Sequence, residues 1–245
     1  SYFLCQLGQE QLAQAMFPIG HMQKPDVRHL AEQAGLPTAA KKDSQGLCFI
    51  GKVRLPEFLQ QQLAVRQGNI VEIDAAHSVF LRPQEESIEL CSQPFAFAPE
   101  MGQVVGQHDG AHFFTVGQRK GLQVGGKAEP LFVIGTCTET NTVYVGQGDA
   151  HPGLYRSALE LEAPHWVNPS HAFEASQSKS YELRIRYRQP LQEGELVKTE
   201  EGRWFLDFTE NQRGIAAGQF ATWYLDGELV GSAVIASQSS RLLTR

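Results

Sequence analysis

The stretch Tyr181-Glu182-Leu183-Arg184-Ile185-Arg186-Tyr187-Arg188 decides the fold, because apolar or aromatic and charged residues alternate in it without a break. Successive side chains of a β-strand point to opposite faces, so the pattern predicts a strand with one face in a core. Glycine-containing turns separate further predicted strands, namely Glu195–Thr199, Arg203–Phe208, Gln219–Leu225 and Leu229–Ile235. Short strands with tight turns are typical of a small antiparallel barrel or sandwich.

The chain upstream of this block, from Gly68 onward, also predicts short strands. They are 69–73, 103–108, 111–116, 131–135 and 142–145. Asp109-Gly110 predicts a type I′ hairpin between the second and third of them. The insertion 74–102 has no clear period, and its Phe80, Phe95 and Phe97 predict an ordered excursion of loop and short strand, since exposing them is costly.

The first part of the chain predicts helices. These are 9–17, a helix that begins at Pro25 and closes at Gly35, and 55–63. The predicted class is therefore α+β, with domains 1–54 (helical), 55–155 (mostly β, with the insertion 74–102) and 156–245 (a C-terminal antiparallel β-barrel).

Composition excludes several classes of protein. The 245 residues are 42% hydrophobic and carry a net charge of −6, which is typical of an ordered protein and not of a basic nucleic-acid-binding domain. The sequence has neither an apolar run of membrane-spanning length nor a secretion signal, and it lacks an initiator Met, as expected of a fragment or processed product. Its four cysteines form no C-x-x-C pair, so we expect a reducing cytoplasm, no disulfide framework and no zinc site.

One cysteine lies in a loop that suits a reactive sulfur, Lys41-Lys42-Asp43-Ser44-Gln45-Gly46-Leu47-Cys48-Phe49-Ile50-Gly51. Nearby cations lower the pKa of a thiol, and the glycines permit turns that expose it. The alternative is that Cys48 is a small core residue beside apolar neighbours. The loop alone leaves both readings open.

Three arginines, Arg184, Arg186 and Arg188, would share one face of the predicted strand, about 6.7 Å apart. Guanidinium groups donate to phosphates in a fork, so the row favours nucleic-acid contact. The alternative is a solvated barrel face on which the arginines pair with acids such as Glu182 or Asp207.

The segment 121–128 nearly matches the phosphate-binding pattern G-x-x-x-x-G-K-[ST], but Ala128 replaces the hydroxyl residue and a strand follows instead of a helix. We therefore reject a nucleotide site. Arg119, Lys120 and Lys127 beside this turn could still bind an isolated phosphate, or the turn could simply be solvated. His108 and His112 lack the further ligands that a metal site needs.

An ordered series of motifs resembles the C-terminal two-thirds of the bacterial tRNA-specific 2-thiouridylase family. The matching segments include Ser1-Tyr2-Phe3-Leu4, Phe17-Pro18-Ile19-Gly20, Lys42–Gly51, Gly117-Gln118-Arg119-Lys120-Gly121-Leu122, Tyr144–Gly148, Arg186-Tyr187-Arg188-Gln189-Pro190 and Ala217-Gly218-Gln219. The match runs almost end to end.

The resemblance implies a cytoplasmic enzyme that replaces the 2-oxygen of the wobble uridine of tRNA with sulfur. ATP, with magnesium, would adenylate that oxygen, and Cys48 would carry the sulfur as a persulfide received from a sulfur-relay protein or a cysteine desulfurase. Arg186, Tyr187 and Gln219 match positions that touch tRNA. Strand alternation would put Tyr187 opposite Arg186, so contact by both requires a strand end or bulge.

The sequence departs from the family pattern in two ways. It contains no Ser-Gly-Gly-x-Asp-Ser loop of the ATP-binding PP-loop domain, and Cys5 matches no nucleophile position. We therefore expect the helical tail of an α/β catalytic domain in 1–54, no cofactor-binding residue or bound metal in this chain, and no thiolation by the chain alone. Two alternatives are a stand-alone RNA-binding module and a persulfide carrier without RNA affinity.

Overall fold

The structure, a computed structural model, describes residues 2–41, 66–81, 87–173 and 176–237. The Cys48 loop from Lys42 onward and the predicted helix 55–63 lie outside the described residues. The chain divides into two compact units, one of Ser1–Gln9 with Val65–Arg245 and the other of Glu10–Ala64. The predicted boundaries after residues 54 and 155 stay predictions.

Two α-helices lie in the first part of the chain, α1 (Gln9–Ala13) and α2 (Lys24–Gln33). Helix α2 confirms its prediction, with Pro25 in the first turn and Gly35 at a positive φ of 67° just beyond its end. Helix α1 is shorter than the predicted 9–17. The N–H groups of Gln14 and Ala15 donate to carbonyls only three residues back, so the helix tightens and ends well before Pro18.

The central region holds a four-stranded sheet in the order β2-β1-β4-β3. Its strands are β1 (Gly68–Glu72), β2 (Gln103–His108), β3 (Leu131–Cys137) and β4 (Thr142–Gln147). Strands β1 and β4 are parallel, and the other pairs are antiparallel. One buried face packs around Ile70, Val133 and Val143. Four of the five predicted strands are confirmed.

The predicted Asp109-Gly110 hairpin is wrong. Strand β2 pairs with β1, and a short 3-10 turn (Ala111–Phe113) follows it in place of a return strand. Side chains hold the chain in this path. His108 Nδ1 accepts a hydrogen bond from the Gly110 N–H at 2.9 Å, and Asn141 Oδ1 accepts one from the Ala111 N–H at 3.0 Å.

The insertion is ordered where the structure describes it. The rings of Phe80, Phe95 and Phe97 pack together with centroids 5.1 to 6.2 Å apart, which confirms that they are not left in solvent. The insertion, predicted as loop and short strand, contains helix α3 (Ile88–Ser92), whose first turn Ser87 caps by accepting from the Leu90 N–H.

The C-terminal region is a seven-stranded antiparallel sheet in the order β5-β9-β8-β7-β10-β11-β6. The strands are β5 (Tyr155–Leu161), β6 (His165–Trp166), β7 (Gln177–Arg184), β8 (Gln192–Lys198), β9 (Trp204–Arg213), β10 (Phe220–Leu225) and β11 (Glu228–Val234). A bridge between Leu161 and Ile235 joins the edge strand β5 to the end of β11, so the sheet closes. Its core surrounds the fully buried Trp223. The predicted barrel is confirmed, although strands β5 and β6 were not predicted.

Candidate RNA-binding surface

The arginine row predicted on one strand does not exist, because β7 ends at Arg184. The side chain of Gln189 causes this ending. Its Oε1 accepts the Ile185 N–H at 3.0 Å, and its own N–H donates to the Arg186 carbonyl at 3.1 Å. Residues 185–189 therefore form a closed turn on which Arg186, Tyr187 and Arg188 are all exposed. We name this segment the arginine turn. The turn is a strand end of the kind that Arg186 and Tyr187 would need in order to contact RNA together.

Tyr2 fastens the end of β7 to the start of β10. Its hydroxyl donates to the Phe220 carbonyl at 2.8 Å and lies 3.3 Å from the Ile185 carbonyl. Burial raises the pKa of Tyr2, so the hydroxyl stays a donor at neutral pH. The exposed Gln219 directly precedes β10, so it lies at the same end of the sheet as the arginine turn.

Arg186 reaches from the arginine turn to the chain beyond β9. Its Nη2 donates to the Gly214 carbonyl at 2.6 Å. Gly214 has a φ of 64°, which favours glycine, and a Cβ built there would lie 2.5 Å from that nitrogen, so any other side chain would displace the guanidinium. A Cβ built at Gly117 would lie 3.8 Å from the same nitrogen. The guanidinium is thus held between two glycines from different parts of the chain.

Gly117 belongs to the loop that carries Arg119 and Lys120. Two backbone hydrogen bonds fasten this loop to Val133. The Gly117 N–H donates to the Val133 carbonyl at 2.7 Å, and the Val133 N–H donates to the Gln118 carbonyl at 2.9 Å. The Gln118 amide then donates to the Lys120 carbonyl at 2.8 Å. The structure therefore brings the predicted residues Arg119 and Lys120 to the vicinity of the arginine turn, with both side chains exposed.

The cations of this surface have no acidic partner within the described chain. Arg119, Lys120, Arg186 and Arg188 form no ion pair with a described carboxylate. The other two predicted cations differ. Lys127 pairs with Glu72, so its charge is balanced within the fold, and Arg184 is half-buried over the Tyr224 ring, 5.6 Å from its centroid.

Sequence reasoning missed several residues that build this surface. Gln189 and Gly214 shape it, Tyr2 fastens it, and Arg213 lies over the Phe132 ring at 4.5 Å. Tyr2 and Gln189 lie within quoted motifs but carry no periodic signal. Gly214 and Arg213 follow a predicted strand, and no sequence pattern indicated a role for either.

The described cysteines do not share a site. Cys5 is only 2% exposed, and burial raises the pKa of its thiol. Hydrogen bonding from Thr140 lowers the pKa of the Cys137 thiol, and Cys137 lines a cleft of about 440 Å³ together with both apolar and charged side chains, among them Phe97, Arg156 and Glu160. Cys48 lies outside the described residues, so its surroundings stay a prediction.

Two sequence features that could suggest a metal or nucleotide site, the titratable side chains and the glycine-rich segment, do not form one among the described residues. No group of three His, Cys, Asp or Glu side chains gathers within the described chain. The glycine-rich segment 121–128 runs into β3 and opens no helix, so it does not provide the helix N-terminus that binds a nucleotide phosphate. Within the described ranges, no helix is long and apolar enough to cross a membrane.

Three family models match successive parts of the chain. They are described as a tRNA methyl transferase HUP domain (residues 1–52), a tRNA methyl transferase PRC-barrel domain (95–147) and an aminomethyltransferase beta-barrel domain (156–235). The tRNA-specific 2-thiouridylase MnmA of Flavobacterium johnsoniae is 52% identical over 243 residues, and that of Christiangramia forsetii is 50% identical over 243. The chain belongs to the tRNA-specific 2-thiouridylase family. A further member, from Karelsulcia muelleri, is 40% identical over 237 residues.

Each of these alignments covers 96% of this chain but only 60–61% of the relative. The chain thus spans about three fifths of the length of the family members that it matches. The model descriptions name methyl and aminomethyl transfer, whereas the three relatives are named thiouridylases. We give more weight to the relatives, because their alignments run through all three regions at once.

Proposed function

We propose that this chain is the tRNA-binding and sulfur-carrying part of a cytoplasmic tRNA-uridine 2-sulfurtransferase. Arg186, Tyr187, Arg188 and Gln219 would contact the tRNA, together with Arg119 and Lys120. The observation that carries the proposal is the meeting of two separately predicted basic segments at the guanidinium of Arg186, near Gly117. Exposed arginines and lysines without acidic partners are what a phosphate backbone requires.

The chemistry of the proposed reaction needs a sulfur nucleophile and an activated uridine. Cys48 would accept sulfane sulfur from a sulfur-relay protein or a cysteine desulfurase and hold it as a persulfide. ATP and magnesium would act through the PP-loop part of the family enzyme, and no step through ATP is assigned to the residues described above.

Binding of tRNA to the whole chain, measured across a series of salt concentrations, tests the proposal. We expect the logarithm of the association constant to fall linearly with the logarithm of salt concentration. Arg119→Ala and Lys120→Ala should each weaken binding by about 3- to 10-fold and make the salt slope shallower by about one. Lys179→Ala is the matched control, since Lys179 is an exposed cation near the start of β7. Equal effects of all three substitutions would contradict the proposed surface.

Cys48→Ser separates the sulfur role from the RNA role. We expect it to abolish loading of labelled sulfur from a cysteine desulfurase and to leave tRNA affinity unchanged. Binding of tRNA without any sulfur loading in the unsubstituted chain would favour the stand-alone RNA-binding module. Loading without RNA binding would favour the persulfide carrier.

A further inference from the structure

Two aromatic rings stand open to solvent beside the arginine turn. The ring of Phe3 packs against that of Tyr187 in a tilted arrangement, with centroids 4.3 Å apart and planes 40° from parallel. Phe3 is nevertheless 75% exposed and Tyr187 is 50% exposed. Since each ring covers one side of the other, the exposure lies on their outer surfaces, where a third flat group can stack.

The pair is held in place by its neighbours. Tyr2 is anchored through its hydroxyl to the Phe220 carbonyl, and its ring meets Phe3 edge-on with centroids 6.0 Å apart. Tyr187 lies on the arginine turn, which the Gln189 side chain closes. Both rings thus project from backbone that is fixed on either side, so little conformational entropy is lost when a ligand stacks on them.

The charged and polar side chains around the two rings indicate what kind of ligand the pair would bind. Arg186, Arg188 and Gln219 are exposed at the same end of the sheet, and neither arginine has an ion pair with a described carboxylate. A protein partner would meet these aromatic rings with a mainly apolar patch. A rim of guanidinium groups and one amide instead matches a flat base flanked by phosphates, since proteins bind unpaired RNA bases by stacking and bind the backbone with cations.

We propose that Phe3 and Tyr187 form a stacking platform for an unpaired RNA base, and that Phe3 is a base-contacting residue. The proposal rests on the RNA-binding function above and adds to it the kind of RNA that the surface prefers. A base within a duplex is already stacked on both sides and cannot reach the rings. The surface therefore discriminates unpaired from paired RNA.

The test compares two RNA probes on the whole chain, a hairpin with an unpaired loop and a blunt duplex of equal charge. Phe3→Leu keeps an apolar side chain but removes the ring. We expect it to weaken hairpin binding by about 5- to 30-fold and to leave duplex binding within about 2-fold, because stacking acts only on the unpaired base. A 2-aminopurine in the loop should also lose the fluorescence quenching that the unsubstituted chain produces.

Val104→Ala is the matched control, since Val104 is a 61% exposed apolar residue in the central sheet and should affect neither probe. Far-UV circular dichroism verifies that both variants fold. The proposal is overturned if Phe3→Leu changes both probes equally or neither, or if the unsubstituted chain binds the duplex as tightly as the hairpin. If neither probe binds in a salt-dependent way, the proposed function itself fails, which is a different result.

Discussion

Cationic side chains that look alike in the sequence fall into two groups in the structure, those that pair with a carboxylate and those that do not. Arg203 and Lys127 each pair with a carboxylate, of Glu160 and Glu72 respectively. Arg119, Lys120 and Arg188 are exposed and have no described carboxylate partner. The first group stabilises the fold and the second leaves its charge available to a ligand. A positive charge therefore indicates a binding surface only when the fold does not neutralise it.

Breaking the best-buried pair should give the largest effect on stability. Arg203 makes a two-pronged contact with Glu160, at 3.1 Å from Nε and 2.9 Å from Nη2, and Glu160 is 7% exposed. Arg203→Met removes this two-pronged contact from a buried carboxylate, so we expect a loss of about 2–4 kcal/mol in the free energy of unfolding, measured with urea. RNA affinity should not change.

The matched variant in the other group is Arg119→Met, which should alter the free energy of unfolding by less than about 0.5 kcal/mol, as is usual at the surface. Glu160→Gln combined with Arg203→Met should recover part of the loss, since it removes the buried charge that has lost its contact with Arg203. If Arg119→Met destabilised the protein as much as Arg203→Met, the division into two groups would be wrong.

Arg186 lies between the two groups, because it is exposed but donates to the Gly214 carbonyl. We expect Arg186→Ala to weaken tRNA binding about 10-fold and also to cost about 1 kcal/mol in the free energy of unfolding, through the lost hydrogen bond. Arg188→Ala should weaken binding by about 3- to 10-fold without a change in stability. Denaturation and tRNA binding of both variants, side by side, distinguish a purely ligand-directed arginine from one that also shapes the surface.

The smallest effect on stability is expected at a pair of carboxyl groups that face each other across two strands. Asp207 lies directly opposite Glu195 on the paired strands β8 and β9. Burial, followed by repulsion from Glu195, raises the pKa of Asp207. A carboxyl group whose pKa is raised in the folded state binds protons more readily there, so it costs stability as the pH rises through that pKa.

We therefore expect Asp207→Asn to stabilise the protein by about 0.2–1 kcal/mol at neutral pH, as for other like-charge pairs across strands. The gain should shrink as the pH falls through about 4 and disappear near about pH 3, where the group is protonated in both states. Thermal unfolding across pH measures it, with the exposed Glu210→Gln as control. A gain that persisted in acid would show that repulsion is not the cause.

The sequence predicted the barrel well because burial on one strand face leaves a period of two, as in Leu183 and Ile185. The sequence-based prediction failed where a single hydrogen bond or a distant partner strand determines the structure instead of the local pattern. The alternation from Tyr181 continues to Arg188, yet Gln189 supplies the Ile185 N–H with a partner from within the turn and ends the strand. Likewise, Asp109-Gly110 is a good hairpin turn locally, but β2 finds its partner in β1, more than thirty residues earlier.

The candidate surface was predictable as a set of residues but not as an arrangement. Arg186, Tyr187, Gln219, Arg119 and Lys120 were all named from motifs, and their exposure is consistent with the proposal. Their arrangement depends on long-range contacts at Gly214 and Tyr2, which involve no periodicity and no local spacing that a sequence displays.

The hydrogen bonds of the segment 2–9 to the barrel have a consequence for how the chain is made. The Tyr2 hydroxyl meets Phe220 across 218 residues, and the Ser232 hydroxyl meets the Cys5 carbonyl across 227. At synthesis rates of about 5–20 residues per second, the ribosome needs roughly 10–45 s to produce the partners of this segment. During that time Cys5 emerges without the strand that later binds its carbonyl and helps to bury it. The segment is therefore where we expect chaperones to bind during translation.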